Sequence, residues 1–536
     1  MGVAPRPIVP PTEDVSRLRE HVLRVLNDHH FAFGDGRRFG MKADGSTDNT
    51  NAFQSALDEA AGIAPVLIYP GASYYKLVGR VTAPANTMIV LIGGAELRWT
   101  ATTANGSNFL GAATRPGIEV TGDKFTLTGQ GKLTGPSAAS YVANEVAIFS
   151  KGTSSLVRRT QFWIEGEVEI HNWGYGGVLG QFLDDTDVSG ALVHDCGYLG
   201  IMFLSSGHGS VQRCHVHTIT PGTDGNAYGI SLTHDSTDYD LDDHVDGTID
   251  TNGRLAVNPF CNDWDISANV VHDVVLWTGI DAHGGYELTV HDNAVYNCRH
   301  GILLGGGSGD AANYGGEAKC VRDNFITTRK RDGTATGVTA TDRYGIIVNG
   351  GTTVRSRDCH VLANVVEGYG DAVVSSYPIE ATFVDAAQIR GNVIRDWRGK
   401  AIYTAQGNGI IADNIIEGVN SATNSACVML DTGSTVWNVH DNKHKPRTGT
   451  AAAEGLRVTA GVSAQNVHDN DFSAATTPYA GDRTLMGGLS LAGTYTNANR
   501  PAANTFPAGS MIWNSDDVAP NFSDGANWFD AAGGAT

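Results

Sequence analysis

Ser267-Ala268-Asn269-Val270-Val271, His291-Asp292-Asn293-Ala294-Val295 and Arg322-Asp323-Asn324-Phe325-Ile326 repeat one pattern: one or two polar residues, an asparagine, then apolar positions rich in β-branched residues. Five more copies follow, around Asn364, Asn392, Asn414, Asn442 and Asn470. Successive asparagines lie roughly 20 to 40 residues apart, the period of solenoids, in which a single repeat is too short to bury a core alone. Between them falls a second beat, Gly200-Ile201, Gly229-Ile230, Gly279-Ile280, Gly301-Ile302, Gly345-Ile346 and Gly409-Ile410, each opening a short apolar run. Two or three short strands per repeat, bent at glycine, predict coils of a parallel β-solenoid.

An asparagine at a fixed bend can hydrogen-bond to local backbone and to the asparagine one coil further on. A stack of them therefore satisfies buried amides that would otherwise cost ~1–3 kcal/mol each. Eight asparagines in step with the Gly-Ile beat argue against ordinary Asn-rich surface turns. The expected fold is all-β, a right-handed parallel β-helix over residues 35–475, with a helical N-terminal cap or attachment segment (1–34) and a small C-terminal β module (476–536).

The ends read differently. Thr12 to His29 carries Val15, Leu18, Val22, Leu23, Val25 and Leu26 at the spacing of one amphipathic helix. A turn at Ala43-Asp44-Gly45-Ser46-Thr47-Asp48 precedes a helical stretch from Asn51 to Ala61 and an apolar strand, Val66-Leu67-Ile68. Beyond about residue 475 the repeat fades, and isolated aromatics appear at Phe506, Trp513, Phe522, Trp528 and Phe529.

With 67 glycines but only 17 prolines, the chain is rich in tight turns rather than disordered. Its formal charge of −20 argues against nucleic acid or an anionic membrane as partner. An anionic polysaccharide stays open, because a local cluster such as Arg329, Lys330 and Arg331 can receive it. Seven cysteines without a CxxC pair indicate neither a disulfide framework nor a zinc site. No run is long and apolar enough to span a membrane, and Met1 to Pro11 has no apolar signal-peptide core.

The stretch Ala43-Asp44-Gly45-Ser46-Thr47-Asp48-Asn49-Thr50, followed by Ala52, Gln54, Ala56 and Leu57, resembles the entrance motif of the pectin-lyase-like superfamily. That superfamily includes polygalacturonases, alginate epimerases, pectate lyases and phage tailspikes, and the resemblance covers roughly residues 35 to 475 with the asparagine repeats. The tail, Phe506-Pro507-Ala508-Gly509-Ser510-Met511-Ile512-Trp513-Asn514 and then Ser523-Asp524-Gly525-Ala526-Asn527-Trp528, looks like the small β module that ends many phage tail fibres and spikes. The resemblance implies a virion-tail or extracellular location, a homotrimer, contact with phage tail or baseplate proteins, and a host polysaccharide as substrate. The alternatives are a secreted bacterial lyase, epimerase or glycosidase, and a non-catalytic receptor-binding fibre.

Polysaccharide cleavage asks for two carboxylates if it is hydrolytic, and for a base plus a charge-stabilising cation if it is eliminative. In Trp277-Thr278-Gly279-Ile280-Asp281-Ala282-His283, Asp281 and His283 lie two apart on a strand and share a face. The cluster resembles the Tyr-Gly-Phe-Asp-Pro-His motif of alginate epimerases, with Thr278 for the tyrosine, Ala282 for the proline and no clear second acid. In-register stacking would put His234 or Asp235, Asp281 or His283, and His300 on one wall as acid/base candidates. Trp277, Tyr286, Tyr314 and Arg299 are candidate sugar contacts. Ser206-Gly207-His208-Gly209 resembles the Gly-His-Gly of polygalacturonases, but its expected Asp-Asp partner is not adjacent; Asp184-Asp185 lies well upstream. No metal ligand set or required cofactor is expected, apart from Ca2+ as a candidate for the insertion bearing Asp238, Asp240, Asp242 and Asp243, which lacks EF-hand spacing.

Overall fold

A computed structural model describes residues 32–530, apart from 235–259, 306–314 and internal stretches of at most six residues. The sequence-predicted helix at Thr12–His29 lies outside the described residues. The helix expected from Asn51 forms over Thr50–Ala60 and buries Phe53, Ala56 and Leu57. Its first turn is organised by the entrance motif: Asn49 is fully buried, takes the Lys42 N–H at 2.6 Å and gives its amide hydrogens to the Lys42 and Thr47 carbonyls.

From Val66 onward the chain winds through three long parallel sheets. Among the described residues, sheet I has 17 strands, sheet II 13 and sheet III 14, and consecutive strands pass in the order I, II, III. One coil shows the plan: Asn262–Ser267 lies in sheet I, Val270–His272 in sheet II and Thr278–His283 in sheet III. Register is held through the inner columns. In sheet III, Val178, Ile201, Ile230, Ile280, Ile302 and Ile346 pair in unbroken succession, and all are buried at 1% exposure or less.

The eight asparagines form one ladder at the bend between sheets I and II. Each amide nitrogen from Asn269 to Asn442 donates to the Oδ1 of the next asparagine at 2.8–3.0 Å. Its second hydrogen goes to a carbonyl of the preceding coil, such as Val321 from Asn364 at 2.9 Å. The residue just before each asparagine turns left-handed, with φ of 53–68° at Ala268, Asp292, Asp323, Ala363, Gly391, Asp413, Asp441 and Asp469. Aspartate and glycine tolerate that conformation best, which is why the repeat so often reads Asp-Asn.

The glycine beat has a different cause. Gly200, Gly229, Gly301 and Gly345 have ordinary backbone angles, but a Cβ on any of them would sit 2.4–2.6 Å from a carbonyl oxygen of the following coil. Gly279 is slightly roomier, with the Gly301 oxygen at 3.1 Å and Val295 Cγ1 at 2.8 Å. Close approach of backbones, rather than turn formation, selects glycine there. Gly409-Ile410, read as a sixth member of the beat, falls instead in sheet I, where Gly409 pairs with Ala387 and Trp437.

Parallel pairing begins well before the first Gly-Ile beat at Gly200 and continues to Thr477–Gly481 and Met486–Gly487. A four-stranded sheet then closes the described chain: Leu491–Tyr495 runs parallel to Met511–Asn514, and Ala519–Ser523 and Trp528–Asp530 follow antiparallel. All seven cysteines are free thiols. No described helix is long and apolar enough to cross a membrane.

Candidate functional site

Sheet III carries the chemistry on its outward columns. Asp281 and His283 share that face, with His283 Nε2 at 3.0 Å from Asp281 Oδ2. Ser231, one coil earlier and in register with Asp281, donates to the same oxygen at 3.2 Å. Asp281 is 0% exposed, and its Oδ1 has no hydrogen-bond partner among the described residues. Burial opposes charge on His283, but Asp281 outweighs it and raises the imidazole above its usual value. The pair is therefore an Asp–His dyad whose carboxylate is fully buried while its imidazole, 37% exposed, faces outward.

The other sequence-predicted residues scatter around it. His300 lies one coil on, opposite Thr278 rather than Asp281, buried edge-on against Trp277 at 5.1 Å. Burial, then the neighbouring Arg299, lower it to about 4, so it is neutral at pH 7. Arg299 is engaged within the fold: it packs over the Trp277 ring at 4.9 Å and pairs with Asp342. Tyr286 belongs to sheet I and is 5% exposed, beside Phe260. His234 also packs on Phe260, at 4.9 Å, rather than on Asp281. Asp235, Tyr314 and the Asp-rich insertion from Asp238 to Asp243 lie outside the described residues.

Further along the same face a cavity of about 430 Å³ opens, lined by Tyr344, Tyr377, Glu380, Tyr403 and Asp431 among others. Tyr377 and Tyr403 stack at 4.1 Å, and Tyr344 meets Tyr377 edge-on at 6.3 Å. Two carboxylates share this aromatic wall in opposite environments. Burial pushes Glu380 up to about 7, against a weak hydrogen bond from Thr382. At Asp431 burial acts the same way but loses to hydrogen bonds from the Thr432 N–H and the Thr459 and Tyr403 hydroxyls, which hold it below the usual carboxylate range. Near neutral pH one acid is substantially protonated and the other ionised, the division of labour that two-carboxylate chemistry requires.

These two acids were missed in the sequence, although a signal was present. Asp281 and Glu380 both directly follow the inward isoleucine of their coil, Ile280 and Ile379, and so point outward in the same column. A tyrosine at the strand entrance recurs in Tyr228-Gly229-Ile230, Tyr344-Gly345-Ile346 and Tyr377-Pro378-Ile379.

Sheet I holds a second, more open cavity of about 470 Å³, lined by Asp185, Asp187, His208, Asp263, Asp265 and Glu287 among others. Here stacking resolves a difficulty of the linear sequence. Asp184 lies 24 residues before His208, yet its Oδ1 is 2.6 Å from His208 Nδ1 because one coil separates them. That hydrogen bond, outweighing burial, raises the His208 pKa.

Comparisons with known proteins bear on the fold. Residues 140–318 match the family model for a right-handed β-helix region. The chain is a right-handed parallel β-helix. Among solved structures, this β-helix is similar to pre-mature bacteriophage phi29 gene product 12, with a TM-score of 0.54 at 12% identity over 89% of this chain. It spans 59% of that protein's length. Weaker likenesses are the Dettilon tailspike protein, with a TM-score of 0.48 and 12% identity over 92% of this chain and 78% of that one, and the Yersinia enterocolitica family 28 exopolygalacturonase, with 0.41 and 12% over 81% and 77%. No curated protein matches the sequence.

Proposed function

We propose that this β-helix is a tailspike-type protein that binds a host surface polysaccharide and hydrolyses it in the sheet III cavity. Glu380 serves as general acid and Asp431 as general base. The observation that carries the reading is the pair of carboxylates with oppositely shifted pKa values under one tyrosine wall. Sugar rings stack on the tyrosine faces, and protonated Glu380 gives its proton to the glycosidic oxygen as the bond to the anomeric carbon breaks. Asp431 takes a proton from the water that attacks that carbon. Glu380 aligns with Tyr403 and Tyr403 with Met429, so two coils separate the acids. Asp431 lies two residues beyond Met429, so at about 4.8 Å per coil and ~3.3 Å per residue the backbones lie ~12 Å apart, which excludes the ~5 Å carboxylate spacing of retaining enzymes more readily than the ~6.5–9.5 Å of inverting ones. Asp281 and His283, three coils earlier on the same outward face, are proposed to flank this cavity.

A second reading places hydrolysis in the sheet I cavity, favoured by the Asp184–His208 hydrogen bond and the carboxylates around it. Either cavity fits a homotrimer on a virion tail, and light scattering of the full chain tests the trimer.

The test is depolymerisation of a panel of bacterial capsular polysaccharides and alginate, followed by chain length, reducing ends and unsaturated-uronate absorbance. Hydrolysis predicts new reducing ends of inverted anomeric configuration without an absorbance rise, and a loss of ~10²-fold or more in E380Q and D431N while binding persists. Full activity in both variants, with loss in H208A, would move the site to sheet I. An absorbance rise would establish elimination, and binding without shortening on the identified host's polymer would leave a receptor-binding fibre.

A further inference from the structure

The outward face of sheet II carries a column of stacked imidazoles that the proposed hydrolysis does not use. His171, His194, His217 and His272 pair in register on successive coils. Their ring centroids are 5.0, 4.8 and 4.7 Å apart, with interplanar angles of 11°, 5° and 1°. At the His217 end a fifth histidine, His215, joins from the same strand, 4.8 Å from His217 and 4.9 Å from His272. One ring nitrogen from each of His215, His217 and His272 lies within 4.8 Å of the others, and all three residues are half-buried and open to solvent on one side.

The hydrogen bonds fix where the lone pairs point. Asp273 Oδ2 lies 2.7 Å from His272 Nδ1, so that nitrogen carries the proton and Nε2 presents a lone pair. His272 Nε2 is 2.7 Å from His215 Nε2. The guanidinium of Arg331, a donor only, approaches the same His215 nitrogen at 3.2 Å and asks for a lone pair there as well. Two acceptor nitrogens face each other, and opening that gap to ~3.3 Å seats a shared tetrahedral cation between them. A carboxylate on the far nitrogen of a histidine is also the outer-shell arrangement that orients metal-binding imidazoles. The neighbouring group of Glu169, His171 and His194 is spoken for differently, because Lys132 pairs with Glu169 at 2.7 Å.

We propose that His215, His217 and His272 bind one divalent late first-row transition ion of the Zn2+ or Ni2+ kind, and that this ion staples two consecutive coils. Three imidazoles without thiolate or a crowd of carboxylates select such ions over Ca2+ or Mg2+. With bonds of ~2.0–2.1 Å, small ring rotations close the set and leave a fourth position for water. The exposed Arg331 side chain swings away as the ion enters. The staple falls where reinforcement matters: the strand carrying His215 and His217 and the one carrying His272 are separated by 49 residues of chain, from Thr220 to Val270, the longest detour between adjacent strands of sheet II.

The full chain, stripped with a chelator, should bind one equivalent of Zn2+ by calorimetry, and Co2+ should give the visible absorption of a low-coordinate site. H217A and H272A should each abolish stoichiometric binding, and D273N should weaken it ~10–100-fold. The double variant H440A/H468A, on another stacked pair 4.8 Å apart, should leave binding unchanged. Should H272A fail to fold, carbethoxylation of the unsubstituted protein gives the same answer: Zn2+ must protect His215, His217 and His272 and leave His440 and His468 reactive. Absence of stoichiometric binding, or binding that survives H217A and H272A, or protection spread evenly over all histidines, overturns the proposal.

Discussion

Replacing Asn364 by alanine tests whether the asparagine ladder holds the coils together or merely decorates a bend. Asn364 makes four side-chain hydrogen bonds: it donates to Val321 O at 2.9 Å and Asn392 Oδ1 at 3.0 Å, and its own oxygen accepts from the Asn324 backbone N–H at 3.1 Å and the Asn324 amide at 2.9 Å. It is 0% exposed, so water does not replace those bonds. At ~1 kcal/mol per lost bond, with Asn324 donors left buried and unmet, the cost is about 3–5 kcal/mol, a large share of the 5–15 kcal/mol that holds a typical domain. The matched control is Asn466, exposed and joined through its side chain only to Asn438 among the described residues, at 3.1 Å, where alanine should cost under ~0.5 kcal/mol. Urea midpoints followed by fluorescence, with Trp397 and Trp437 fully buried as reporters, and independently by circular dichroism, make the comparison and expose any loss of cooperativity along the coils. If N364A unfolds at the same urea concentration as N466A, the ladder is not a source of stability.

Glu380 links stability to pH. Its folded pKa of about 7 is raised above the unfolded value, so its contribution is fully present below about pH 4 and is lost as pH rises through 7. Between pH 5 and 8 the wild type should therefore lose on the order of 1–3 kcal/mol relative to E380Q, read as diverging urea midpoints; parallel pH curves for the two proteins would refute the shift. G229A places a methyl 2.4 Å from the Gly279 oxygen and 2.7 Å from Val271 Cγ1, and should cost at least ~1–3 kcal/mol, whereas G225A, with nothing within 4 Å, should suffer only the strain of its left-handed backbone. Six of the seven cysteines are buried, and burial pushes Cys196, Cys214, Cys261 and Cys298 up to about 12, so Ellman's reagent should find no more than the half-buried Cys320 before denaturation and all seven after it.

The fold was legible because its determinants repeat. Eight asparagines each contact the next, so a local motif recurring at coil length carries long-range information that a single strand does not. The coils before Asn269 were harder to see, since their bends use Gly94, Gly129, Gly166 and Gly190 in left-handed turns instead of the asparagine. Gly409-Ile410 misled for a related reason: a dipeptide does not record which sheet it occupies. The site was only partly legible. Asp281 and His283 do meet, because residues two apart on a strand must share a face, but linear reading gave no warning that the Asp281 carboxylate would be fully buried beneath a partly open imidazole. Glu380 and Asp431 come together from coils 51 residues apart in the chain, and of the two only Glu380 follows a recurring pattern, the Tyr-x-Ile strand entrance. Asp184 and His208 show the same blindness at shorter range.

The asparagine ladder also has a direction. Every amide from Asn269 to Asn442 gives its hydrogen toward the C-terminal end, and only Asn470, the last, turns both of its hydrogens back to the carbonyls of Val439 and His468. A ladder growing in the order of synthesis can close its leading amide in the same way, on backbone already in place, and re-aim one hydrogen when the next coil arrives with its oxygen. Assembly in the reverse order would instead leave the leading oxygen waiting for a donor that the coil before it has yet to bring.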